Sequence, residues 1–89
     1  MISCELEIIN KLGLHARATA KLVKLLQNYE SQVTLQFNGL SANGKSIMSV
    51  MMLAAAQGSM ITFEVIGSDQ DDCLAAITQL LAERFGEAD

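Results

Sequence analysis

Four short runs in this chain alternate apolar and polar residues one by one, and that period of two is its tightest constraint. Ile2, Cys4, Leu6 and Ile8 alternate with Ser3, Glu5 and Glu7 in a run that reaches Ile9. Val33, Leu35 and Phe37 alternate with Thr34, Gln36 and Asn38, and Leu40 and Ala42 continue the pattern. Ile61, Phe63 and Val65 repeat it within Met60 to Ile66. Such alternation turns one face of a strand to a core and the other to water. Strands of a parallel sheet, covered on both faces, read as continuous apolar runs. Four half-wet strands therefore predict a mainly antiparallel sheet with the helices packed on one face.

Between these runs the period changes to that of a helix. From about Ala16, the residues Ala18, Leu22, Leu25, Leu26 and Tyr29 share one face, while Arg17, Lys21, Lys24 and Asn28 share the opposite one. Ser46 is placed to cap a second helix from Ile47 to about Ala55. Asp71 and Asp72 favour a third helix start, where negative charge meets the positive end of the dipole. Cys73, Ile77, Leu80 and Leu81 give that helix a core face, Arg84 sits near its end and Gly86 follows. Asn10 to Leu14, Asn38-Gly39, Asn43-Gly44 and Gly67-Ser68-Asp69 supply the turns. Asn38-Gly39 is a strong hairpin signal, because a type I′ turn needs positive φ at both central positions. The expected order is βαββαβα, an α+β, two-layer domain spanning residues 1–89 without proline.

Composition narrows the function classes. A chain 51% hydrophobic and 18% charged is a folded domain, and a net charge of −4 argues against general affinity for nucleic acid. Between residues 11 and 45 the only acid is Glu30, whereas five of the six basic residues fall there. Lys11, Arg17, Lys21, Lys24 and Lys45 thus put the basic side around the single histidine, His15. The longest nearly apolar stretch, Ile47 to Ala56, is interrupted by Ser49 and falls short of the ~20 residues of a membrane span, so no membrane insertion is expected. The first residues lack a basic segment followed by an apolar one, so no secretory signal is read there and the cytoplasm is the default. Cys4 and Cys73 have no metal-ligand spacing and sit in apolar runs, as buried free thiols do. No metal-ligand set is visible.

Three features carry candidate chemistry. His15 falls at the seam between the first strand and the first helix, with Arg17 two residues on. At a helix start the dipole disfavours imidazolium and keeps a ring nucleophilic, and unpaired first-turn N–H groups welcome an anion. The backbone N–H groups of Ala16, Arg17 and Ala18 are the candidate donors, and Arg17 adds a planar fork. A lone histidine fits an ordinary surface position equally well. The middle helix is apolar nearly all round, and a two-layer domain buries only one face, so Ile47, Met48 and Met51 are candidates for an exposed docking patch. Core filling explains any single methionine just as well. Gly39 to Ser46 matches the phosphate-loop pattern, but that loop needs a buried parallel sheet, and Asn38-Gly39 puts a tight turn inside it. Ser46 serves as an N-cap in its own right, and a phosphate on it would set charge beside the apolar patch.

Asn10-Lys11-Leu12-Gly13-Leu14-His15-Ala16-Arg17 and Asn43-Gly44-Lys45-Ser46-Ile47-Met48, with the order and length of the elements, make the chain resemble the HPr family. These are the histidine-containing phosphocarriers of the bacterial phosphoenolpyruvate-dependent phosphotransferase system. The resemblance implies an open-faced β-sandwich, a four-stranded antiparallel sheet with three helices on one face, that works as a carrier without a cofactor. It implies that enzyme I phosphorylates His15 on Nδ1, that Arg17 stabilises the phosphate, and that IIA components then take it. Ser46 matches the serine that an HPr kinase/phosphorylase modifies in some lineages. Ile47, Met48 and Met51 match the docking patch, with Lys21, Lys24 and Lys45 as its basic surroundings. Some members of the family serve nitrogen-related regulation, so a mainly regulatory protein is the alternative. Ala18 stands where the family usually has proline, which restores a backbone donor at that point.

Overall fold

The computed structural model describes residues 1–89 in full. Strands β1 (Ile2–Glu7), β2 (Gln32–Phe37), β3 (Leu40–Asn43) and β4 (Met60–Ile66) form one sheet in the order β1-β4-β2-β3, with every pairing antiparallel. Helices α1 (Ala16–Leu26), α2 (Ile47–Met51) and α3 (Gln70–Ala82) complete the βαββαβα order, and a single 3₁₀ turn follows at Arg84–Gly86. Register carries the alternation across the sheet. Val65 faces Ile2 on one side and Val33 on the other, and Phe63 faces Cys4 and Leu35. Val33, Leu35, Ile61, Phe63 and Val65 all lie buried on one face, against Ala18, Leu22 and Leu26 of α1 and Cys73, Ile77 and Leu81 of α3. The other face is mainly polar, with Met60 and Ile66 exposed at the two ends of β4. On that face Gln36 Nε2 donates to Glu64 Oε1 at 3.1 Å, while Ser41 Oγ donates to Gln36 Oε1 at 2.8 Å.

Two boundaries and one side chain differ from the sequence expectation. β1 ends at Glu7 instead of Ile9, because Ile8 turns its backbone to the loop before β4, donating to Ser59 O at 2.9 Å and accepting from Gly58 N at 2.7 Å. α2 stops at Met51, well short of Ala55. Its last turn tightens into the bonds Leu53 N to Val50 O and Ala54 N to Met51 O, and Ala54 takes φ 52. That left-handed residue breaks the helix so that Leu53 and Ala55 can both enter the core. α3 begins at Gln70 and carries Asp71 and Asp72, both exposed, in its first turn, as their charge at the dipole end leads one to expect. Leu40, although in phase with Ala42, is exposed at the edge of the sheet. The antiparallel sheet excludes the phosphate-loop reading, and Asn38 and Gly39 take the positive φ values, 51 and 77, of the expected hairpin. Both cysteines are free; Cys73 is buried, which pushes its thiol up, and Cys4 is half-buried.

The turn after β4 is fixed by a contact that periodicity does not encode. Asp69 stands at the N-cap of α3 but does not cap it. Its carboxylate reaches across to the entry of β2 instead, accepting from Glu30 N at 2.8 Å, Ser31 N at 3.0 Å and Ser31 Oγ at 2.5 Å. Gly67 makes room for this crossing, since a Cβ there would lie 2.6 Å from Ser31 Cα. The Ser31 hydroxyl, followed by the Glu30 amide, holds the Asp69 carboxyl below its usual range. A depressed carboxyl stabilises the fold above its unfolded value and loses that contribution as pH falls through the folded one. Asp69→Asn is therefore expected to lower the urea midpoint at pH 7. The gap to the parent should close as the pH drops below about 4, the ordinary aspartate range. Equal gaps at pH 7 and pH 3 would contradict this account.

Candidate functional site around His15

The chain between β1 and α1 is pinned on both sides before it reaches His15. Leu14 is buried; its N–H donates to Ala55 O at 2.9 Å and its carbonyl accepts from Thr19 Oγ1 at 3.2 Å. Gly13, at φ 68, packs so closely on the loop after α2 that a Cβ would lie 2.6 Å from Ala55 O. Asn10 is buried and closes the turn from inside, its Nδ2 donating to Gly13 O at 2.9 Å. The residue after this buried pair, Gly13 and Leu14, turns back toward solvent. His15 is the N-cap of α1, with φ −75 and ψ 179, and its side chain is 28% exposed.

The two ring nitrogens meet opposite chemistries. Nδ1 accepts from Arg17 N–H at 3.3 Å, standing in for the usual Ser, Thr, Asp or Asn oxygen of an N-cap. Nε2 lies 2.5 Å from Glu87 Oε2. An ionised carboxylate can only accept, so the proton of a neutral ring sits on Nε2 and the lone pair on Nδ1. Asn10 Nδ2 also donates to Glu87 Oε1 at 3.0 Å, and this bond, followed by that from His15, holds the Glu87 carboxyl below the usual carboxylate range. His15, Glu87, Arg17, Lys11, Leu12 and Asp89 line one shallow cleft.

The expected phosphate donors are arranged unequally. The N–H groups of Ala16 and Ala18 have no backbone partner, whereas Thr19 N already donates to His15 O at 2.9 Å. Ala16 and Arg17 are exposed, but Ala18 is wholly enclosed, which leaves the first two as the accessible pair. The Arg17 guanidinium is tied to no carboxylate, the single ion pair of the chain being that of His15 with Glu87. Of the basic residues expected to border a docking patch, Lys24 projects freely on the exposed face of α1. Two do not. Lys21 Nζ donates to Phe85 O at 2.6 Å, and Lys45 Nζ to Tyr29 O at 2.7 Å, so both ammonium groups are spent on backbone carbonyls.

The apolar patch is present and larger than expected. Ile47, Met48 and Met51 are exposed, Met48 by 72% of its surface. Met52, next to Met51 in the chain, extends it at 74%, and Leu12 beside His15 is a separate exposed apolar side chain at 66%. Leu12 is legible in hindsight as an apolar residue out of phase in a loop. Ser46 caps α2 as expected, its Oγ accepting from Ser49 N at 3.3 Å. Glu87 was missed: seventy-two positions from His15, it stands in no periodic run that would announce it.

Fold and site together define an open-faced α+β carrier type, presenting one imidazole at the start of a helix beside an apolar patch. The model of the family described as "PTS HPr component phosphorylation site" matches residues 2–83. The phosphocarrier protein HPr of Cupriavidus necator is 51% identical over 89 residues, covering 100% of both chains. A crystal structure of HPr-C-His from Thermoanaerobacter tengcongensis superposes with a TM-score of 0.95 at 34% identity, covering 100% of each chain. The Crh protein of Bacillus subtilis, described as a domain-swapped dimer, matches with a TM-score of 0.74 at 32% identity over 93% of this chain and 95% of that one. The chain belongs to the HPr family of phosphotransferase-system phosphocarriers.

The free Ala18 N–H answers what the missing proline costs. Ala18 is the third helical residue, where no i−4 carbonyl is available, so a proline there would forfeit no hydrogen bond. Ala18→Pro is expected to leave stability within about 1 kcal/mol of the parent, measured by urea unfolding, against about 3 kcal/mol for a proline in a helix interior. A loss of the larger size would mean that the Ala18 amide has a partner.

Proposed function

We propose that this chain carries a phosphoryl group on His15 Nδ1, taking it from enzyme I and passing it to IIA components in the cytoplasm. The observation that carries this reading is the N-cap geometry. Nδ1 points its lone pair at the amides that open α1, with the Arg17 N–H 3.3 Å away. A phosphoryl group bonded there would bring its oxygens to the Ala16 and Arg17 N–H groups and within reach of the Arg17 fork. The whole of residues 1–89 acts as one carrier domain, a monomer whose cargo is covalent and whose chemistry needs no cofactor. It is a donor and acceptor in relay, not an enzyme that turns over a small substrate.

The exposed patch supports docking next to the reacting atom. Ile47, Met48 and Met51 lie on α2, whose following loop carries Ala55, the partner of Leu14. Flexible thioethers adapt to surfaces of different shape, which suits a carrier that must meet both a donor and several acceptors. Lys24 contributes the free positive charge at its margin. Incubation with phosphoenolpyruvate and enzyme I is expected to give an acid-labile phosphate on the parent and background labelling on His15→Ala. Equal labelling of the two would overturn the assignment.

A second reading, regulation through Ser46, is favoured by the position of that hydroxyl. It caps α2 and stands immediately before Ile47 and Met48. Phosphorylation by a kinase/phosphorylase of the HPr type would add about −1.5 to −2 charge at the edge of the apolar patch. Charge placed there disfavours partners that bury the patch, so the state of Ser46 would choose between partners, in sugar transport or in a nitrogen-regulatory branch. Ser46→Asp is expected to weaken enzyme I and IIA binding at least tenfold relative to Ser46→Ala, by titration calorimetry. Identical affinities would remove the switch.

A further inference from the structure

The residues after α3 are bound to the His15 site by four separate anchors. Phe85 is buried in the core, and its carbonyl accepts from Lys21 Nζ at 2.6 Å. Lys11 N–H donates to Asp89 O at 2.8 Å, and Asn10 Nδ2 to Glu87 Oε1 at 3.0 Å. Arg84 and Phe85 both take φ 54, a left-handed conformation that L residues seldom adopt, and two such residues in succession reverse the chain toward the site. The outcome of this bend is the placement of Glu87 on Nε2. Glu87 lies outside residues 2–83, the part that matches the family model.

We propose that Glu87 is a positioning residue for phosphoryl transfer, which keeps a proton on Nε2 both before and after His15 is loaded. The inference rests on the carrier reading. In the empty protein the Nε2–H donates to the carboxylate, and the Nδ1 lone pair is free to attack. On loading, that pair forms the N–P bond, and the bond from phosphorus to the donor breaks with its electrons leaving on the donor. The ring now bears a phosphoryl group on Nδ1 and a proton on Nε2, so it is cationic, and Glu87 is its counter-charge. On delivery the N–P electrons return to Nδ1, and the departing group is a neutral imidazole. A ring stripped of the Nε2 proton would have to leave as an anion, which is a far poorer leaving group. No proton enters or leaves the site in either direction.

The charges around the ring are few, which makes the effect readable. Lys11 from the loop before α1, Arg17 from α1 and Asp89 beside Glu87 are the other ionised groups lining this cleft, and Lys21, held on Phe85 O, is close enough for its charge to act on Glu87. The loop after α2 that backs the site, residues 52–57, contains no titratable side chain. Among these, Glu87 alone offers a carboxylate to Nε2.

The test uses phosphoramidate as a chemical phosphoryl donor, so that loading does not depend on enzyme I. The rate of phosphohistidine loss is then followed against pH in the parent, Glu87→Gln, Glu87→Ala and Glu87→Asp. The alkaline fall in that rate is expected to move to lower pH by about one unit in the Gln and Ala variants, as loss of an adjacent opposite charge requires, with Asp restoring part of the shift. In the unloaded protein, the Nε2–H proton should give a protected nitrogen-correlated NMR signal in the parent that broadens into solvent exchange in Glu87→Ala. Superimposable pH profiles for the parent and Glu87→Gln would overturn the proposal, and so would an unchanged Nε2–H signal in Glu87→Ala. Failure of the carrier reading would show separately, as no transfer from enzyme I to any of the four proteins.

Discussion

Leu14 is the point on which the site depends. Its side chain is committed to the core, its N–H to Ala55 O and its carbonyl to Thr19 Oγ1, so it has no freedom left. The residue after such an anchor is held at the boundary between interior and water, and that residue is His15. A reacting side chain benefits from a support that cannot shift, because small misplacements are costly in group transfer. Here the support is the same core that the half-wet strands create. Stability and positioning come from one set of contacts.

Much of this was legible from the residues. The alternation of Val33, Leu35 and Phe37 and of Ile61, Phe63 and Val65 showed a sheet with one wet face, because a period of two has only one physical solution at that length. The Asn38-Gly39 turn was legible for a similar reason, since few residue pairs accept positive φ twice in succession. The length of α2 was not. Its apolar run continues through Ala54 to Ala56 with good helix formers, and nothing local predicts that Leu53 and Ala55 are needed in the core at an angle no helix provides. Tertiary demand overrode propensity.

Charge was harder to read than shape. Lys21, Lys24 and Lys45 look equivalent as sequence, yet two of the three terminate on carbonyls and only Lys24 remains available. The carbonyls of Phe85 and Tyr29 are reached from 64 and 16 positions away, so no spacing rule announces them. Asp69 behaves alike: it occupies a helix N-cap position but spends its carboxylate on the backbone at Glu30 and Ser31. A side chain's sign is written in the sequence; its partner is a property of the fold. Glu87 is the extreme case, since its contact with His15 exists only after the 3₁₀ turn has reversed the chain.

The early end of α2 has a consequence for the geometry of the whole site. In a helix continued through Ala55, the carbonyl of that residue would lie along the helix axis, directed at the following turn. Because the helix breaks at Ala54, the Ala55 carbonyl points sideways and becomes the acceptor that Leu14 needs. The end of one element is therefore the foundation of another that lies far from it along the chain. The segment that carries the exposed methionines is tied to the segment that carries the imidazole through the Leu14 N–H to Ala55 O bond, and a change that lengthened the helix would remove that acceptor and loosen the histidine without touching it.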